Sequence, residues 1–285
     1  MTSSTVVVER FATPAAFLAA AGPTLQQTEI ENALILGVAS DLAEAASRGE
    51  PATDPYFACA RERDRILICA FRSLPNKVGV THAFDPSAIE VLAEDVRQAC
   101  PMIHQIVGPE PTIGPFVRNV ARLLGVSMRV HRKSRLHALR AVRPLENAPP
   151  GGLRPARESD LELLARWIEG FLSDVHEDGD PVSIASRRIR DGKLFVWEDG
   201  TPVSIAAASG KTPTGIRVNL VYTPPELRGR GYATSCVAAL SRLLLDSGNE
   251  YCCLHTDLAN PTANRIYRRI GYEPVCDATV YAFVT

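Results

Sequence analysis

The stretch Val221-Tyr222-Thr223-Pro224-Pro225-Glu226-Leu227-Arg228-Gly229-Arg230-Gly231-Tyr232-Ala233-Thr234 constrains this chain more than any other. A β-rich run from Ile216 to Thr223 stops at two prolines. A loop carrying Arg228, Gly229 and Gly231 then opens a long apolar helix that ends near Ser247. The first turn of such a helix holds N–H groups with no intrahelical acceptor, and the helix dipole favours negative charge there. Gly229 and Gly231 lack the Cβ atoms that would hold an anion away from those amides. Strand, glycine turn and helix start together predict a phosphate or pyrophosphate site.

Three loop types compete for that site. A Walker A loop needs Gly-Lys-Ser/Thr after four spacer residues, which is absent. A dinucleotide fingerprint needs a third small residue where Thr234 stands, and an acidic residue on a second strand that this chain lacks. The pattern Arg/Gln-x-x-Gly-x-Gly/Ala matches as Arg228-x-x-Gly231-x-Ala233. A second motif follows a strand over Tyr251 to Thr256: Asn260-Pro261-Thr262-Ala263-Asn264-Arg265-Ile266-Tyr267-Arg268-Arg269-Ile270-Gly271-Tyr272. Asn260 reads as an N-cap, Pro261 as the first helical residue and Gly271 as the stop. In these two ordered motifs the chain resembles the GNAT superfamily of N-acyltransferases. That resemblance implies an α/β fold with a mixed sheet, and acetyl-CoA as cosubstrate.

Bulk properties narrow the function classes. With 285 residues and 46% hydrophobic side chains, the chain can fill two cores of ordinary size. A net charge of −1 gives no electrostatic reason to expect nucleic acid or a membrane surface as partner. No apolar run has the length of a spanning helix, and Met1-Thr2-Ser3-Ser4 does not open a signal peptide. Seven irregularly spaced cysteines suit a reducing, cytoplasmic setting, and Cys252-Cys253 on one strand face opposite ways. No metal site is expected: His82, His104, His131 and His137 show no ligand spacing.

The segment 143–150 reads as a linker. Residues 151–285 carry a short strand at Leu153, an amphipathic helix from Arg157 to about Phe171 and a second near Ser183–Arg190. A hairpin turning at Asp199-Gly200, the motif strand, loop and helix, and a final strand pair follow. Residues 1–142 repeat a similar order of helices and strands. The phosphate loop is missing after Val78–Ala83, so this half is expected to be a degenerate GNAT-like domain, or an unrelated α/β cap, that shapes a substrate cleft. Trp167 and Trp197 fit core positions.

The resemblance also implies roles. Leu220, Val221, Tyr222 and Thr223 would offer a strand edge to the pantetheine arm, with an N–H near Val221 polarising the thioester. Arg228, Gly229, Arg230, Gly231, Tyr232, Ala233 and Thr234 would hold the pyrophosphate. Asn260 and Asn264 would touch the pantetheine or hold the helix start. Tyr267 matches the family's acid: a phenol stays protonated where a leaving thiolate needs a proton. His255, on the strand before it, is the candidate base, with Asp257 and Glu226 as alternatives. The loop Asp174-Val175-His176-Glu177-Asp178-Gly179-Asp180 lies where acceptors enter; it would attract a cationic amine or polyamine, or is a solvated turn. The acceptor implied by the resemblance is a small-molecule or peptide amine. Transfer of a longer acyl group, or acyl-CoA sensing and partner binding without turnover, remain the alternatives.

Overall fold

Proline and a capping side chain decide where four of the eight α-helices among the described residues begin. The computed structural model describes residues 5–50, 54–74 and 76–284. The first half holds β1 (Val7–Arg10), α1 (Pro14–Leu25), α2 (Ala33–Ser47), β2 (Tyr56–Glu62), β3 (Arg65–Leu74) and β4 (Lys77–Val80). It continues with α3 (Pro86–Ala99), β5 (Gln105–Pro109), α4 (Ile113–Leu124) and β6 (Ser127–Leu139). The second half repeats that order with β7 (Gly152–Pro155), α5 (Leu161–Val175), α6 (Pro181–Arg190), β8 (Leu194–Asp199) and β9 (Thr201–Ser209). It ends with β10 (Gly215–Tyr222), α7 (Tyr232–Asp246), β11 (Tyr251–Asp257), α8 (Pro261–Ile270) and β12 (Glu273–Val284). Thr13, Asp85, Asp180 and Asn260 each accept a hydrogen bond from a first-turn N–H, and each precedes the proline that opens its helix. β1 has no counterpart among the expected elements. The expected final strand pair is instead one long strand, β12, whose register shifts at Pro274/Cys276 and Val280/Tyr281.

One mixed sheet runs through the molecule in the order β1-β2-β3-β4-β5-β12-β6-β11-β10-β9-β8-β7. Each half has one parallel pair, β4 with β5 and β10 with β11; the other pairs are antiparallel. The halves exchange their last strands. β6 lies against β11 of the second half, β12 lies against β5 of the first, and β6 and β12 pair with each other at the centre. Interchanging the halves leaves the strand order unchanged, so the sheet has a pseudo-twofold between β6 and β12.

Helices cover both faces. In the second half, α7 and α8 pack on Val218, Cys252 and Leu254, while α5 and α6 pack on Leu194, Ile205 and Leu220. Trp197 and Trp167 are buried in these two cores respectively. The adjacent free cysteines Cys252 and Cys253 are both fully buried. The first half reaches across: Ala33 of α2 packs with Tyr251, Cys253 and Leu136. Glu29 accepts hydrogen bonds from Thr212 Oγ1 at 2.6 Å, Thr214 N at 2.9 Å and Tyr251 OH at 3.1 Å. α2 thus lies over the β9–β10 end of the second half.

Candidate active site

Strand β10 leaves its neighbour early. It pairs with β11 only over Gly215, Ile216 and Arg217, opposite Tyr251, Cys252 and Cys253. On its other edge Asn219 faces Ala207 and Tyr222 faces Ile205, so Leu220 and Val221 oppose Ala206 alone. This is a β-bulge, and Leu220 takes the left-handed conformation with φ 50°. A bulge kinks its strand and unpairs the local backbone. The β11-facing edge of Leu220 to Thr223 is therefore open for an extended ligand to join.

The two faces of the splay carry different chemistry. Val218, Leu254 and Tyr267 share the core beneath α7 and α8. Alternation along the strands sends Arg217, Asn219 and His255 to the opposite face, towards α5, α6 and α2.

Beyond β10, a short turn (Pro225–Leu227) leads into Arg228, Gly229, Arg230 and Gly231. Gly229 (φ 80°) and Gly231 (φ 85°) are left-handed. A Cβ on Gly229 would meet nothing within 4 Å, so backbone conformation rather than crowding requires glycine there. α7 starts immediately after, with Tyr232, Ala233 and Thr234 in its first turn. Tyr232 OH donates to Asp199 at 2.9 Å, tying that turn to the β8–β9 hairpin. Arg228 Nε donates to Thr223 O at 2.9 Å, its guanidinium pairs with Asp174 at 2.7 Å, and it lies 5.5 Å above the Tyr222 ring. Arg230 donates to the Glu226 carbonyl at 3.3 Å, which makes Glu226 part of the loop's own bracing.

Tyr267, 9% exposed, meets Tyr272 edge to face at 5.8 Å. Tyr272 shares a hydrogen bond with Ser241 at 2.8 Å. The Tyr267 hydroxyl has no protein partner among the described residues. Burial, and secondarily Cys236, push its pKa above the ordinary phenol value, so it holds its proton. His255 opens onto the cleft, yet the surrounding walls desolvate it; with Arg217, Arg132, His137 and Lys77 adding positive charge, its pKa is pushed down to about 3. The imidazole is therefore neutral. Asn260 caps α8 through Ala263 N at 3.0 Å. Asn264 accepts from Thr256 Oγ1 at 2.7 Å and donates to the Asp257 and Asn260 carbonyls at 2.9 and 2.8 Å. Its side chain holds the helix start, the second of the two uses expected for it.

A cleft of about 1330 Å³ joins these groups, bounded by β10, β11, α5, α6 and α8, and across the way by α2, β3, β4 and β6. The acidic loop is less negative than its sequence suggests. Glu177 is held by Lys77 at 3.1 Å and Arg132 at 2.8 Å, and Asp174 by Arg228. Asp180 caps α6. Sequence reading misses Lys77, Arg188, Arg217 and Asn219 as cleft residues, and favours for the segment 129–135, which includes Arg132, a solvated basic strand over contact with an acidic substrate or phosphate. Asn219 stands two residues before Val221 and could have been marked by that spacing. Lys77 and Arg132 reach the site only through the exchanged sheet.

The fold is the GNAT architecture, with its element order repeated in the two halves of the chain. Residues 199–282 match the family model described as FR47-like protein. A Drosophila protein of solved structure superposes with TM-score 0.74 at 13% identity, over 98% of this chain and 99% of its own. A GNAT-family acetyltransferase from Colwellia psychrerythraea gives TM-score 0.58 at 9% identity, over 98% and 100%. A tandem GNAT protein from the clavulanic acid biosynthesis pathway gives 0.56 at 12%, over 98% of each chain. These likenesses establish the fold. No curated protein sequence matches the chain.

Proposed function

We propose that the protein is an N-acetyltransferase that moves an acetyl group from acetyl-CoA to a primary amine in a ternary complex. The observation that carries this reading is the splay of β10 from β11, with a protonated Tyr267, unpartnered among the described residues, lining the cleft that runs through it. The residues present suit the cosubstrate. Two left-handed glycines and the first turn of α7 form a nest for a diphosphate, and the unpaired edge at Leu220–Thr223 can take a pantetheine arm.

In this reading the amine nitrogen attacks the thioester carbonyl, whose oxygen is polarised by a backbone N–H near Val221. The C–N bond forms, the C–S bond breaks, and sulfur leaves with the electron pair. Tyr267 supplies its proton. The proton lost by the amine goes to His255 or through water to solvent. With a pKa near 3 in the unliganded cleft, His255 is a weak acceptor there. Seven thiols favour a reducing, cytoplasmic setting.

Thiol release from acetyl-CoA across a panel of amines, with calorimetric titration of acetyl-CoA, tests the reading. Release that depends on an added amine is expected. Absence of coenzyme binding by folded protein overturns it. A series of longer acyl-CoA donors in the same assay addresses the alternative that the roomy cleft takes a larger acyl group.

A further inference from the structure

The acceptor face of the cleft carries cationic and polar groups with no protein partner. Arg187 and Arg188 stand on α6 and Arg217 on β10, and all three line the cavity. Among the described residues none of them has a carboxylate within ion-pair distance, while the neighbouring Arg190 pairs with Glu50 and Asp191. The Arg188 Nε–H is buried with no hydrogen-bond acceptor. Asn219 Nδ2 donates to Ser209 Oγ at 2.7 Å, but its Oδ1 is likewise buried and unsatisfied. An unmet buried donor or acceptor costs roughly 1–3 kcal/mol, so such groups call for an explanation.

The three guanidiniums also disfavour one another's charge. Desolvation first, then Arg217 and Arg187, push the Arg188 pKa down to about 10; Asp41 and Asp191 only partly offset this. Asp41 is itself engaged by Lys193 at 3.5 Å and Gly210 N at 2.9 Å. An anion bound here relieves that repulsion and satisfies the donor.

We propose that the acceptor is a small amino acid: Arg217 and Arg188, with Arg187 at the rim, hold its carboxylate, and Asn219 Oδ1 receives an N–H of its amine. This deepens, and rests on, the acetyltransferase reading. A guanidinium fork matches a carboxylate in two parallel hydrogen bonds. Arg217, Asn219 and His255 share one face of the splay, so an amine at Asn219 lies on the side from which the acetyl carbon would be attacked. Arg217 is also the foremost charge depressing His255. Its neutralisation by the substrate carboxylate raises the basicity of His255 only when the acceptor is in place. The acidic loop, already paired to Lys77, Arg132 and Arg228, leaves a polyamine without a comparable seat.

The test compares glycine, alanine, phenylalanine and lysine with the amines left by their decarboxylation, and with phosphoethanolamine. Binding to the full-length protein is read by saturation-transfer NMR with acetyl-CoA present and absent, and turnover by thiol release. At least one amino acid should bind and react about tenfold better than its decarboxylated partner. Arg217→Gln should erase that preference by raising the KM of the amino acid about tenfold more than that of the amine, with acetyl-CoA affinity retained. Asn219→Asp, which keeps the strand residue's size, should alter amine binding without abolishing acetyl-CoA binding. Equal or better use of the decarboxylated amines, preference for phosphoethanolamine, or an Arg217→Gln variant that binds acetyl-CoA and keeps the preference overturns the proposal. Absent acetyl-CoA binding alongside selective carboxylate binding would sink the transferase reading and leave the arginine site standing.

Discussion

Tyr267 and Tyr272 are edge-to-face neighbours whose hydroxyls have different uses. Tyr272 spends its hydroxyl on Ser241, and Tyr267 keeps its own for the cleft. Tyr267→Phe should therefore leave folding and acetyl-CoA affinity nearly unchanged while kcat falls about 10²-fold, as for loss of a general acid. Stopped-flow or steady-state thiol release beside calorimetry checks this; an unchanged kcat removes Tyr267 from the chemistry. His255 gives a second test, through pH. Its folded pKa lies near 3, below the ordinary 6.5. As pH falls below 6.5 the unfolded chain takes up the proton first, so stability drops across the window from 6.5 to about 3, and His255 contributes nothing above it. His137 is lowered too, by desolvation, and adds to the same trend. His255→Gln should narrow the difference in urea midpoint between about pH 7 and about pH 4.5. A difference as wide as that of the unaltered protein would mean that the imidazole titrates normally.

Two glycines separate the demands of binding from those of packing. At Gly229 a side chain has room but the wrong backbone, so Gly229→Ala should cost about 1 kcal/mol. That corresponds to a Tm fall of roughly 2–4 °C in a chain this long. Acetyl-CoA affinity should weaken about tenfold or more as the loop's amides turn away. At Gly37, on α2, a Cβ would stand 2.6 Å from the Cα and the carbonyl oxygen of Gly210. Gly37→Ala should force α2 off the β9–β10 end, at about 1–3 kcal/mol. Differential scanning calorimetry and titration of both variants would distinguish them; a Gly229→Ala protein with full affinity argues against the nest. The same contrast explains what the sequence could disclose. Caps, prolines and the Gly229–Gly231 turn are local, so β10, α7, β11 and α8 were legible residue by residue. Gly37 meets Gly210 only after α2 of one half crosses the other. Arg188 and Arg217 look like ordinary charges on an amphipathic helix and a strand until the cleft removes their solvent.

At the scale of the molecule, the exchanged strands govern how the chain can be cut. The segment 143–150 looks like a seam, but β6, before it, supplies the neighbour of β11, and β12, after it, supplies the neighbour of β5. No local pattern announces this, because strand register and neighbour choice depend on both halves at once. Arg132 and Lys77 join the site by the same route. Residues 143–285 expressed alone would lack β5 and β6, leaving one edge of β11 and both edges of β12 unpaired. The pseudo-twofold supplies the remedy: a second copy can fill the missing place with its own β12, as β6 does in the intact chain. That fragment should therefore elute as a dimer or aggregate, and co-expression with residues 1–142 should restore a one-to-one complex with the cleft re-formed. Size-exclusion chromatography with light scattering decides it. A stable, folded monomer of 143–285 that binds acetyl-CoA would show that the second half closes its sheet unaided, and that the exchange is dispensable for the site.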